Sequence, residues 1–139
     1  MLQRIQTLWM LLAAVCAALT FKFPFYSGNF VVGANGHLFG SLTASASATI
    51  LFITVIIIVG ILFSIISFKN RRRQILINIG MIILSLLNIF LYYRESLLYI
   101  EGKVAMGASL SILIPILLFI SIRGIARDSK IVRTADRLR

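Results

Sequence analysis

Four long stretches without a charged side chain occupy most of this 139-residue chain. They cover residues 5–21, 42–68, 74–93 and 104–122. Each has about 17 residues or more, which is the length a helix needs to cross a hydrocarbon core of about 30 Å. The sequence therefore predicts four transmembrane helices, and this expectation limits every other inference about the chain.

The composition favours helices in lipid over the other classes of protein. The chain is 60% hydrophobic and 13% charged, whereas ordinary globular domains carry about 25% charged residues. Free backbone groups find no partner in lipid, so membrane spans are helices or closed barrels. Barrel strands alternate apolar and polar residues, but residues 50–53 and 55–59 are apolar throughout. We expect one all-α membrane domain over residues 1–139, a four-transmembrane-helix bundle with spans at about 5–23, 42–68, 74–93 and 104–122.

The positive charges predict how the chain faces the membrane. Eleven of the 14 Lys and Arg residues lie before the first span, between the second and third spans, or after the fourth. Because short basic loops stay in the cytoplasm, both termini are predicted to be cytoplasmic. Topology accounts for the net charge of +10 better than nucleic-acid binding does. The residues expected to contact anionic lipid or a partner protein are Lys69, Arg71, Arg72, Arg73, Arg123, Arg127, Lys130, Arg133, Arg137 and Arg139.

The loop between the first two spans carries a turn signal. Two short apolar runs, residues 30–32 and 37–39, flank the pair Asn35-Gly36. Both residues of an Asn-Gly pair tolerate positive φ, which suits a tight hairpin turn. The pattern predicts a small β-hairpin on the outer membrane surface. An aromatic loop at the headgroup level is the alternative, and it is favoured over a ligand pocket.

Small residues recur every four positions at the start of the second predicted span. Small side chains on one helix face let two backbones approach closely, and hydroxyl groups there can hydrogen-bond across the contact. The spacing predicts tight packing against another helix, either in the same chain or in a partner. The residues of this predicted face are Gly40, Ala44, Ala48, Ser41, Ser45 and Thr49.

Two later spans carry residues that are unusual in lipid. In the third span, Asn78, Ser85 and Asn88 fall near one helix face. Hydrogen bonds between helices are the favoured role for such groups, and a polar translocation path is the alternative. In the fourth span, Pro115 removes a backbone hydrogen bond and frees the carbonyl of Ser111, which predicts a bend in the helix.

The basic tail, residues 123–139, has a helical pattern of its own. Its apolar residues fall near one face, and basic residues occupy the rest. This pattern is typical of a basic amphipathic helix, here continuing from the fourth span. Contact with anionic lipid is the favoured role, docking on the cytoplasmic face of a partner is the next, and RNA binding is the weakest of the three. The apolar positions are Ile125, Ile131, Val132, Ala135 and Leu138.

The residues that most chemistry requires are missing from the spans. The four acidic residues, Glu95, Glu101, Asp128 and Asp136, all lie outside them, whereas coupled carriers usually need an ionisable group within the membrane. The chain has one histidine and one cysteine, too few for a His/Cys metal site. We therefore expect no catalytic, cofactor or metal site, and we expect that the protein is not an enzyme.

Both ends of the chain carry short, unusual motifs. The start, Met1-Leu2-Gln3-Arg4-Ile5-Gln6-Thr7, fits M-x-Q-R-I-Q-T, and the close fits V-R-[ST]-A-D-R-L-R, with Thr134 at the variable position. Together with the span pattern, these motifs resemble a family of small four-span inner-membrane proteins of unknown function from Bacteroidota-type bacteria. The resemblance implies a multi-pass protein of the bacterial inner (cytoplasmic) membrane with no established activity. It transfers no site residues, but it suggests that residues 3–6 and 133–139 form one cytoplasmic recognition surface.

Two functions remain open from the sequence. The first is a non-catalytic accessory or structural subunit of a larger inner-membrane complex, docking through the small-residue face and the basic tail. Secretion, respiratory and envelope-assembly machinery are all candidate partners. The second is a small transporter or channel that acts as an oligomer, using Asn78, Asn88 and the bend at Pro115.

Overall fold

The structure, a computed structural model, describes residues 2–32, 36–67 and 70–137 and is mostly helical. Within these residues, four α-helices are accompanied by a small β-sheet of three strands. The helices are α1 (Leu2–Leu19), α2 (Ala48–Ile66), α3 (Arg71–Ser96) and α4 (Met106–Arg137). The strands are β1 (Tyr26–Val32), β2 (Gly36–Leu42) and β3 (Tyr99–Val104).

Three of the helices are long and apolar enough to cross a membrane. They are Ala48–Ile66, Arg71–Ser96 and the part Met106–Asp128 of α4. The apolar part of α1, Ile5–Leu19, is shorter, whereas a span needs about 17 residues or more. The structure therefore supports three of the four predicted spans on length and composition, and the first span stays a prediction.

The helices pack side by side around a small apolar core. Both α1 and α3 pack against α2 and against α4. Alanines of α1 allow close approach, since Ala13 and Ala17 are fully buried in a cluster with Ile61 and Leu118. Many large apolar side chains face outward instead, among them Phe52, which is 66% exposed. Such a continuous apolar exterior suits lipid, because soluble monomers rarely expose apolar patches larger than a few hundred Å².

The predicted hairpin is present, as part of a larger sheet. Strands β1 and β2 pair antiparallel, with Val32 opposite Gly36. Asn35, the first residue of the predicted turn, lies outside the described residues. The third strand, β3, was not predicted; it comes from the loop between α3 and α4 and pairs with the free side of β1. A Cβ at Gly102 would come within 2.6 Å of the Ser27 carbonyl oxygen, so glycine permits this pairing.

The small-residue helix face was wrong as a prediction. Gly40 and Ser41 belong to β2, and α2 begins only at Ala48. In between, Ala44 and Ser45 lie in a turn, where the Ser45 and Thr43 hydroxyl oxygens are 2.9 Å apart. Gly40 and Ser41 are held in strand pairing. In the turn that follows, Ser and Thr side chains compete with the helix for backbone hydrogen bonds. Of the predicted face Gly40, Ala44, Ala48, Ser41, Ser45 and Thr49, only Ala48 and Thr49 are helical.

Two other boundaries differ from the prediction. The helix α1 ends at Leu19 rather than near residue 23, because the chain then turns toward β1. The helix α4 begins at Met106, since Val104 is paired with Tyr26 in the sheet. At its other end α4 continues to Arg137, so the tail is continuous with the fourth predicted span in its backbone.

The sheet is attached to the helices by a second apolar cluster. Leu42, Ala44, Ile50 and Tyr92 are buried together, and the Tyr92 ring stacks on Phe25 with centroids 4.6 Å apart. The start of α4 also lies against the connection between α1 and β1, and backbone hydrogen bonds join the two segments. These contacts place the sheet at the end of the helices where α2 and α4 begin, which we call the sheet end. The opposite end, where α1 begins and α4 ends, is called the basic end.

Candidate functional site

The helix α3 presents its polar residues to the interior and its apolar residues to the exterior. Outside, Leu76 is 74% exposed, Ile83 64% and Phe90 56%. The buried residues repeat at the spacing of a helix–helix seam. They are Gln74, Asn78, Ser85, Asn88 and Tyr92. In water this arrangement would be costly, but in lipid the interior is where polar groups find partners.

One group of interior polar residues lies toward the basic end. The Ser64 hydroxyl of α2 donates a hydrogen bond of 2.7 Å to Oδ1 of Asn78. The Asn78 amide nitrogen lies 3.8 Å from the sulfur of Met10, and Nε2 of Gln74 lies 3.5 Å from the same sulfur. A thioether is a weak acceptor, so the bond to Ser64 is the strong one. The group joins α1, α2 and α3.

A second group lies toward the sheet end. Nδ2 of Asn88 donates to the Thr54 hydroxyl at 3.1 Å, and that hydroxyl in turn donates to the carbonyl of Ile50 at 2.8 Å. The Tyr92 hydroxyl lies near Thr54 and Thr20, but no hydrogen bond of acceptable geometry joins it to either. Within the described residues, Oδ1 of Asn88 also lacks a partner. The hydrogen-bonding atoms of this group therefore have only some of their partners among the described residues.

The remaining polar residues of the predicted site serve their own helices. The Ser85 hydroxyl donates to the carbonyl of Ile82 at 2.8 Å. In α4, the Ser111 hydroxyl donates to the carbonyl of Gly107 at 2.9 Å, and Pro115 lies inside the helix. The bend expected at Pro115 stays a prediction. Ser121 is fully buried, and its hydroxyl has no partner among the described residues.

The chemistry of this interior is that of neutral hydrogen-bonding groups. The buried polar residues described are amides, hydroxyls and one phenol. No group of three His, Cys, Asp or Glu side chains that could hold a metal occurs in the described part of the chain. Amides and hydroxyls in this position can hydrogen-bond one helix to another. Each such hydrogen bond in lipid contributes about 0.6 kcal/mol on average.

The basic end carries exposed arginines from two helices. Arg72 and Arg73 of α3 and Arg123 and Arg127 of α4 are all exposed. Arg71 makes an ion pair of 3.9 Å with Asp128, which ties α3 to α4. The structure does not describe the side chains at the other predicted contact positions, which are Lys69, Lys130, Arg133, Arg137 and Arg139.

The sheet end has an open cavity of about 610 Å³ on the β-sheet. Its lining includes Ser27, Asn29 and Lys103, together with Phe39, which is 76% exposed. Near it, burial and the Glu95 carboxylate raise the pKa of the Tyr99 phenol, and the Tyr99 ring lies edge-on to the Tyr26 ring with centroids 5.7 Å apart. Among the side chains that the structure describes, the cavity lining offers a single cation, Lys103, and no cluster of acidic or nucleophilic groups.

Comparison with known families shows which family the chain belongs to. Residues 2–138 match the family described as Domain of unknown function (DUF4293). The chain belongs to this family. No curated protein and no solved structure matches the chain. The DUF4293 description assigns no activity. A function can therefore be inferred only from the residues and the geometry of this chain.

Sequence reasoning found only part of the polar interior of this DUF4293 chain. It selected Asn78, Ser85 and Asn88 but missed Ser64 and Thr54 of α2, which are the partners of Asn78 and Asn88. Spacing is the signal that would have identified Gln74 and Tyr92, because they extend the seam by four residues at either end. On α2, no local pattern marks Ser64 or Thr54, because a hydroxyl in lipid can also bond to its own helix, as Thr54 does.

Proposed function

We propose that this DUF4293 protein is a non-catalytic accessory subunit of a larger complex in the bacterial inner membrane. Its four helices form a membrane bundle with both termini in the cytoplasm. In this arrangement α1 also spans the membrane, as the first of the four spans, and residues beyond its apolar part Ile5–Leu19 reach the headgroup region. The basic end then faces the cytoplasm, as short basic segments do, and the sheet end faces the opposite side.

The observation that carries the proposal is the inward polar face of α3. Its two asparagines, Asn78 and Asn88, are used in bonds to Ser64 and Thr54 of α2. Polar groups that are hydrogen-bonded between helices hold the helices together, so we interpret the interior as a helix-packing interface. Features suited to recognition then lie at the two ends of the molecule.

The sheet end supplies one such feature. The strand order is β2-β1-β3, so β2 and β3 are edge strands of the described sheet. An edge strand presents backbone N–H and C=O groups that can pair with an added strand. The exposed Phe39 on β2 adds an apolar contact beside that edge. A partner with an extended segment on this side would fit both.

Purification from the native membrane tests the proposal. The full chain, tagged at one end, is isolated in mild detergent and its partners are identified by mass spectrometry. We expect a larger integral membrane protein in fixed stoichiometry. A homogeneous assembly that contains only this chain would contradict the proposal.

A second experiment tests the docking role of the tail. Replacing Arg133, Arg137 and Arg139 with Glu reverses the charge of the predicted cytoplasmic recognition surface. We expect the partner to be lost from the purified material while the variant stays in the membrane after carbonate extraction. Unchanged co-purification would show that the tail does not dock.

The second candidate function is a small oligomeric transporter or channel. The observation in its favour is that Asn88 Oδ1 and the Tyr92 and Ser121 hydroxyls are buried without a partner among the described residues. Such atoms can be completed by water. A homo-oligomer in the purification experiment would favour this function over the first.

A further inference from the structure

We propose that the basic end of α4 binds the phosphate of an anionic glycerophospholipid between Arg123 and Arg127. One acyl chain of the lipid lies along the exposed apolar residues Ile120, Ile116 and Leu113 of the same helix. This is a defined lipid site in addition to the proposed subunit function, and it does not depend on that function.

The shape of the site comes from a glycine between two arginines. Arg123 and Arg127 are four residues apart, so their side chains lie on one side of α4, one turn from each other. Gly124 has no side chain, and a surface cavity of about 460 Å³ opens there, lined by Ile120, Arg123, Gly124 and Arg127. A Cβ at Gly124 would lie 3.0 Å from Cγ of Gln6, so α1 packs closely against α4 at this glycine.

The charge of the site is available for a ligand. The nearest acidic residue in the sequence, Asp128, points its carboxylate to Arg71. Within the described residues this is the one ion pair, and Arg123 and Arg127 take no part in it. Both guanidinium groups are exposed. A guanidinium has a planar set of donors that matches the oxygens of a phosphate in a bidentate manner.

The apolar surface next to the site selects a lipid over a soluble phosphate. Ile120 is 39% exposed and Ile116 is 49% exposed, and they follow Leu113 along one face of α4. From Leu113 to Arg123 is ten residues, or about 15 Å of helix. This is half of a hydrocarbon core of about 30 Å, the depth that an acyl chain of one leaflet fills. The lipid phosphate therefore meets the two arginines, and its acyl chain meets the apolar residues that lie deeper in the same leaflet.

Native mass spectrometry of the full chain in detergent tests the site, with phosphatidylglycerol as the probe. We expect the unmodified protein to retain one lipid per chain at activation energies that remove the others. In the double variant Arg123→Gln/Arg127→Gln, we expect retention to fall about tenfold or more, as the loss of charge-assisted hydrogen bonds implies. The matched control is Arg72→Gln/Arg73→Gln, which removes the same charge at the same end. These two arginines do not line the cavity, so the variant should retain the one tightly held lipid even if it loses looser ones.

The competing explanations give different results in the same experiment. Equal losses in both double variants would mean general attraction to basic charge and would overturn the site. Displacement of the lipid by millimolar inorganic phosphate would show a soluble-phosphate site instead, and would also overturn it. If the double variant does not fold, as judged by its melting temperature, the conservative pair Arg123→Lys/Arg127→Lys takes its place. That pair keeps the charge, and unchanged retention in it would contradict bidentate binding.

Discussion

At the residue scale, this protein is held by a few bonds and contacts between particular side chains. Asn78 and Ser64 form a hydrogen bond of 2.7 Å between α3 and α2, and Asn88 and Thr54 form a second between the same helices, at 3.1 Å. Glycines matter where two segments touch: at Gly107, backbone oxygens of Phe23 and Pro24 would lie only 2.5 Å from an added Cβ. These features make separate predictions.

The bond between Ser64 and Asn78 predicts a coupling energy. In a double-mutant cycle of Ser64→Ala and Asn78→Ala, we expect a coupling of about 0.6 kcal/mol, because the helices lose one hydrogen bond in lipid. Reversible unfolding in mixed micelles measures it. The control cycle pairs Ser64→Ala with Asn88→Ala, which do not contact each other and should be additive. Additivity in both cycles would contradict the bond.

The contact at Gly107 predicts a large loss of stability from one methyl group. Its backbone N–H donates to the carbonyl of Pro24 at 2.8 Å, so α4 cannot move away from an added Cβ without breaking this bond. We expect Gly107→Ala to lower the melting temperature in detergent, with a loss of about 1–3 kcal/mol, as for overpacking elsewhere.

Gly80→Ala is the matched control for that substitution. Gly80 also lies in a helix, but an added Cβ there would meet nothing within 4 Å. We expect this variant to be as stable as the unmodified protein or more stable by up to about 1 kcal/mol, since alanine favours helix. Equal melting temperatures for the two variants would be inconsistent with the close approach at Gly107.

At the element scale, the sheet joins two loops that are far apart in the sequence. Its central strand β1 pairs with β2 from the same loop and with β3 from the connection between α3 and α4. Three glycines lie opposite one another across it, Gly40, Gly28 and Gly102. The hairpin could be predicted from a local turn signal. The third strand could not, because its partner lies about 70 residues earlier and no short pattern encodes that pairing.

The strand order predicts which engineered cysteines form a disulfide. In a Cys16→Ala background, Ser27→Cys/Lys103→Cys should cross-link, because these residues are directly opposite in the sheet. Ser41→Cys/Lys103→Cys should not, since two strand spacings separate them by about 9.5 Å, beyond the reach of about 7 Å for a disulfide. Electrophoresis without reductant measures both. Cross-linking of the second pair alone would refute the order β2-β1-β3.

At the scale of the whole molecule, the distribution of polarity is reversed relative to a soluble protein. The buried residues of α3 are polar, and its exposed ones include Leu76 and Ile83. Among the described side chains, those of Arg72, Arg73, Arg123 and Arg127 are exposed at the basic end, and those of Lys22, Arg94 and Lys103 are exposed at the sheet end. An interior of this kind is stable only where the surroundings are apolar, which supports a membrane position for the helices.

The two ends of the molecule should react from opposite sides of the membrane. In a Cys16→Ala background, Arg73→Cys marks the basic end and Lys103→Cys the sheet end, and both native side chains are exposed. With a membrane-impermeant thiol reagent, we expect Arg73→Cys to be labelled only in inverted vesicles. We expect Lys103→Cys to be labelled only in right-side-out vesicles, because the proposed topology separates the two ends. Labelling of both from one side would show that the helices do not span.

The sequence by itself determined that the chain is mostly helical and suited to a membrane, because hydropathy over about 20 residues outweighs local propensity in lipid. It also marked one buried face of α3, since helical spacing is a local property. Only the tertiary structure decided that Gly40 and Ser41 are strand residues and that β3 completes the sheet. It also decided that Asn78 bonds to Ser64. These features depend on which distant segments meet, and pairing across the fold leaves no periodic trace in either partner.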